Sequence, residues 1–83
     1  MGDIQAGITT ADQLAQDTQQ ALAQAADHLS EALHSLIQTT QGSQNDEIGY
    51  VATTYEDIIE QIKRLHGNIW PCREKLDKYK NML

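Results

Sequence analysis

The sequence predicts an all-α protein: two long antiparallel helices, over about residues 10–39 and 45–82, folded back as a helical hairpin. Three observations predict it. From Ile48 to Leu83, the residues Ile48, Val51, Tyr55, Ile58, Ile62, Leu65, Ile69, Cys72, Leu76, Tyr79 and Leu83 follow at alternating steps of three and four. That is the heptad seam of a helix laid along another helix. A short polar stretch around Gly42-Ser43 splits the chain into two halves of similar length. The composition suits helix, with no Phe, a single Pro, and much Ala, Leu and Gln.

Residues 1–8 are polar and contain Gly2 and Gly7, so they read as a flexible leader; residues 9–83 form one hairpin domain. Thr9 and Thr10 are N-cap candidates, with Asp12 and Gln13 each three residues on as capping-box partners. From there to about Gln38 nothing breaks helix. Ala15, Leu22, Leu29 and Leu36 occupy one heptad position, and Ala11, Thr18, Ala25 and Ala32 the other. Ala26, Leu33 and Ile37 widen this stripe. In Thr39–Asn45, Gly42 suits the left-handed C-cap of the first helix. Ser43 suits the N-cap of the second, with Asp46 three residues later. So short a link between long helices requires them to run antiparallel.

The second helix begins near Asn45 and meets Pro71 in its second half. A helical proline loses one backbone hydrogen bond and crowds the carbonyl four residues earlier, here that of Gly67. Taken locally this is a stop. Leu65, Ile69, Cys72 and Leu76 nevertheless keep heptad phase across it, which a loop has no reason to do. The expectation is one helix, kinked near Gly67–Pro71.

The net charge of −6 is unevenly spread. Residues 1–60 hold ten carboxylates and no Lys or Arg; residues 61–83 hold all six Lys and Arg against Glu74 and Asp77. An acidic chain is a poor ligand for phosphate backbones, so no nucleic-acid partner is expected. In an antiparallel hairpin the basic tail falls beside the acidic start of the first helix. The longest apolar runs are too short for stable membrane insertion. The N-terminus lacks the basic and apolar regions of a cleaved signal peptide. A cytoplasmic location suits the lone Cys72.

No catalytic constellation competes with the helical pattern, so the chain reads as non-enzymatic, without cofactor or metal. Glu31 and His34 have the E-x-x-H spacing of di-iron bundles, but the second helix offers Lys63-x-x-His66 in place of a second such pair. Cys72 sits on the seam, as a buried thiol or as one half of an intermolecular disulfide across a symmetric seam, and His66 lies six residues away on another face. Trp70, beside the seam, reads equally well as core or as an exposed anchor.

Small domains of this size rarely close a sufficient core alone, and no disulfide or zinc spacing staples this one. Each helix carries more apolar surface than one partner helix covers. The expectation is dimerisation into a four-helix bundle, by pairing with a second copy or with another helical hairpin. Leu33, Ile37, Ile59 and Met82 are candidates for that contact as apolar flanks. Leu65, Ile69, Trp70, Cys72, Leu76 and Tyr79 are candidates from the seam itself. The rival reading is a small cytosolic regulator or antitoxin-like inhibitor docking Glu56, Asp57 and Glu60 on a basic partner.

A small acidic chain of two long helices about a central Gly-Ser loop resembles the WXG-type small helical-hairpin proteins of type VII secretion. It also resembles the toxin-associated hairpins of Gram-positive bacteria. The likeness covers residues 9–83. It implies a homodimer or paired hairpin, a role as co-secreted partner or targeting module for a toxin, export without a cleaved signal peptide, and no catalytic residues. Two family motifs are missing. The loop reads Gln41-Gly42-Ser43-Gln44-Asn45 without the W-x-G tryptophan, and Tyr79 is followed four residues later by Leu83 rather than an acid.

Overall fold

A computed structural model, which describes residues 2–41 and 45–83, shows the two-helix hairpin. Helix α1 spans Gly2–Thr39 and helix α2 spans Asp46–Met82. No strand occurs among the described residues.

Helix α1 starts earlier than its sequence suggests. The stretch expected as a leader is helical from Gly2, and Thr9 and Thr10 lie inside the helix rather than capping it. The Thr9 hydroxyl donates to the Gln5 carbonyl at 2.9 Å, so it is satisfied within the helix. Ile8 is half-buried, in heptad step with Ala15 and Leu22, while Asp3 to Gly7 before it are exposed. At the other end of α1, the Thr40 N–H and hydroxyl both reach the Leu36 carbonyl.

The N-cap of α2 is Asn45, in extended conformation at φ −71° and ψ 127°. Its side chain accepts the Glu47 N–H at 2.7 Å. Asp46 and Glu47 in the first turn oppose the positive end of the helix dipole. The caps expected of Gly42 and Ser43 lie outside the described residues. Helix α2 continues through Pro71 to Met82, and the Leu83 N–H closes it on the Lys80 carbonyl at 3.2 Å. The unbroken heptad phase was the better guide; the local stop signal was overridden.

The phase of the seam needs correction. Ile48, Tyr55, Ile62, Ile69 and Leu76 face α1 as expected, half-buried. The alternate positions Ile58, Leu65, Cys72 and Tyr79 do not; they are exposed. Their places are taken one residue later by Ile59, His66, Arg73 and Lys80. Helix α1 shows the same shift. Ala15, Leu22, Leu29 and Leu36 face α2, while Ala11, Thr18, Ala25 and Ala32 are exposed. Asp12, Gln19, Ala26, Leu33 and Thr40 pack in their stead.

The ion pair of Arg73 Nε with Asp12 Oδ1, at 2.9 Å, marks the register. Two heptads along each helix in opposite directions lead from it to Ala26 and Ile59. These are the buried apolar residues, 6% and 8% exposed. Ile59 is therefore core of the hairpin and not one of its apolar flanks. None of the described side chains is fully buried.

The molecule is a rod of 63 × 15 × 13 Å with a radius of gyration of 18.9 Å. A compact chain of this length would have a radius near 12 Å. Its accessible surface is 6444 Å², against about 5,000 Å² for a compact protein of its mass. No described helix is long and apolar enough to cross a membrane.

Candidate functional site

The shifted phase gives the hairpin two unlike sides. A cleft lined by Ala32, Ser35, Thr39 and Val51 opens on one side. A second, lined by Ala23, Asp27 and Lys63 above Leu22 and Ile62, opens on the other. The heptad carries each side along the whole rod.

On the first side, α1 presents Ile4, Ala11, Thr18, Ala25, Ala32 and Thr39 at seven-residue intervals, all exposed. Gly7, Leu14, Ala21, His28 and Ser35 lie between them, also exposed. None of these is a carboxylate, Lys or Arg; Asp3, Asp12, Asp17, Asp27 and Glu31 all lie elsewhere on the helix. Helix α2 presents Val51, Ile58, Leu65, Cys72 and Tyr79, interleaved with Thr54, Gln61, Asn68 and Met82. Glu47 and Lys75, near opposite ends of α2, are the charged members of its row. Leu14, Leu65 and Ile4 are each more than half exposed. A strip of this length that mixes aliphatic, small and uncharged polar side chains and is nearly free of charge is a candidate contact surface.

The other side is polar. Arg73 lies across the open end of the hairpin. Its Nη1 donates to Gln19 Oε1 at 2.7 Å, and its Nε and Nη2 grip both Asp12 oxygens. Its guanidinium carbon stands 5.5 Å from the centroid of Trp70. Gln19, the buried polar residue of the core, is thus satisfied. The predicted meeting of basic tail and acidic first helix takes this form. The Arg73 hydrogen bonds hold the Asp12 carboxyl below its usual range; partial desolvation opposes this, and the charges of Arg73 and Lys80 add to it. A carboxyl held below its unfolded value of 3.8 stabilises the fold above that pH. The contribution fades as pH falls through the lowered folded value. Acid titration of unfolding should therefore show a limb below about pH 4 that Asp12→Asn flattens. An unchanged limb in that variant would remove Asp12 from the account.

The sequence-predicted contact residues divide. Leu65, Cys72 and Tyr79 lie on the uncharged side, exposed. The expected burial of Cys72 is corrected: it stands one position off the packed seam, and its thiol approaches the Asn68 carbonyl at 3.7 Å. Ile37 and Trp70 are exposed on the polar side. Leu33, Ile69 and Leu76 are half-buried between the helices, and Ile59 is buried there. Sequence reasoning missed the α1 half of the strip, Ile4 to Thr39. Its signal was present as eleven positions at alternating steps of three and four without a carboxylate, Lys or Arg, hidden because alanine reads as core when the phase is undecided. Glu31 and His34 are exposed.

Comparison with known protein families, with curated proteins and with solved structures finds no match for this chain.

Proposed function

We propose that this chain is a non-enzymatic interaction protein. It is a helical partner or targeting module that assembles with itself or with another helical hairpin through its uncharged side. The observation that carries the reading is the strip itself, which runs the length of both helices and excludes charge except at Glu47 and Lys75. The surplus of accessible surface over a compact chain supports it. The resemblance to WXG-type hairpins suggests service to an exported toxin as the biological setting.

The test is the size of the native species. In extracts of the producing cell, the chain should elute in an assembly larger than one copy, and Leu65→Asp should reduce it to the size of a lone chain. Elution of the unaltered chain alone would overturn the reading. The chain in culture supernatant supports the targeting role. Retention in the cytosol, bound to a basic enzyme through Glu56, Asp57 and Glu60, all exposed, supports the inhibitor reading instead.

A further inference from the structure

We propose that the occupant of the uncharged side is a second copy of this chain, laid face to face with its loop at the opposite end. This rests on the interaction reading above and specifies its partner, face and symmetry.

The strip is complementary to itself under one operation. Take a two-fold axis crossing the rod at right angles, between Ile58 and Leu65 on α2 and between Thr18 and Ala25 on α1. These points stand level, since Leu22 and Ile62 line one cleft there. The heptad then matches layer by layer. Ile58 meets the partner's Leu65, Val51 the partner's Cys72, and Thr18 the partner's Ala25. Ala11 meets the partner's Ala32. Small side chains of α1 lie on small ones, which lets those backbones approach closely, and large ones of α2 interlock as in an antiparallel coiled coil.

Charge agrees with the same operation. It brings Lys75, one of the two charged residues in the α2 row, to the partner's Glu47, the other, and does so at both ends. With the loops at the same end, α2 would lie over the partner's α1, which offers no charge on this side. The longer-range distribution points the same way. The loop half, residues 21–60, carries seven carboxylates and no Lys or Arg; the remainder carries five carboxylates and all six Lys and Arg. Opposed loops place each acidic half beside a basic tail.

The area suffices. A footprint of 63 by 15 Å on each copy amounts to roughly 1,900 Å² in total, where obligate homodimer interfaces begin. In this arrangement Cys72 faces an aliphatic residue and not its own copy, so the dimer needs no disulfide.

The experiment uses the purified chain. Light scattering at micromolar concentration under reducing conditions should give twice the chain mass. Leu65→Asp on α2 and, independently, Ala25→Glu on α1 should each weaken association at least about 100-fold, because each buries a charge twice across the axis. Both sites are exposed in the hairpin, so circular dichroism should show these variants still helical. Gln61 lies beside the axis. In a Cys72→Ser background, Gln61→Cys should form a disulfide-linked dimer on mild oxidation, while Tyr50→Cys, on the outer surface, should not. A monomeric purified chain overturns the self-pairing; the native assembly size then tells whether the interaction reading falls with it. Cross-linking through position 50 and not 61 overturns the face.

Discussion

Ile59→Ala should lower the unfolding free energy of the hairpin by about 2–3 kcal/mol, the lower part of the range for truncating a buried isoleucine. Ile59 is 8% exposed and stands opposite Ala26, itself 6% exposed. Alanine on both sides of that layer would leave a gap that two helices at fixed spacing cannot close. The cost is large against the few kcal/mol that a core of this size supplies. The control is its neighbour. Ile58 is 37% exposed on the outer side of the seam, and Ile58→Ala should cost less than about 1 kcal/mol in the separated hairpin. Denaturant unfolding over a range of protein concentrations separates the two. The effect of Ile59→Ala should appear at every concentration. That of Ile58→Ala should grow as the dimer forms, since association adds to apparent stability by mass action. A larger cost for Ile58→Ala than for Ile59→Ala at high dilution would mean that the seam has the phase first read from its heptads.

Pro71→Ala should act in the other direction, raising stability by about 2 kcal/mol. Proline in a helix interior costs about 3 kcal/mol relative to alanine, and part of that is returned because proline also restricts the unfolded chain. Pro71 lies within a continuous helix and is exposed, so alanine there meets no packing constraint. The substitution restores a donor for the Gly67 carbonyl. Gly67→Ala should add about 1 kcal/mol more, since a methyl group at that position meets nothing within 4 Å. Thermal and denaturant unfolding measure both. A fall in stability with Pro71→Ala would show that proline's local geometry is what seats Arg73 on Asp12 and Gln19. In that event the Arg73 hydrogen bonds should loosen together with the fold.

The two substitutions bear on different kinds of legibility. Pro71 posed a conflict between a local rule and a periodic one, and the periodic one prevailed. Heptad spacing reports packing along some tens of ångströms, whereas a single missing hydrogen bond is a local cost that packing can outweigh. Ile59 posed a conflict that periodicity could not resolve. In both helices one row of residues is shared by two possible seams, one using the row three residues on and the other the row four residues on. In α2 the first row, Ile58 to Tyr79, is the more apolar and drew the sequence reading. The structure takes the second, although it brings His66, Arg73 and Lys80 toward α1. The Asp12–Arg73–Gln19 network exists only in that phase. Arg73 contributes its aliphatic stem to the contact while its head reaches paired acceptors, which a pattern of apolar letters does not register.

The start of α1 followed the same logic. Gly2, Gly7 and two capping threonines argued for a leader, and the structure carries the helix to Gly2, which makes α1 as long as α2. The start of α2 near Asn45 was legible, because Asn45 caps the helix through a bond to the Glu47 N–H within its own turn.

By itself, then, the sequence determined two helices, an antiparallel return, the continuity of the second helix and the joining of the basic tail to an acidic first helix. These follow from periodicity, turn residues and charge order, all carried along one chain. Tertiary structure alone decided which flank of each helical stripe faces inward. That choice depends on both helices at once, and it brings together an arginine and two polar acceptors more than fifty residues away in sequence. It turned Ile59 into core and left Leu65, Cys72 and the alanines of α1 as an open, uncharged side.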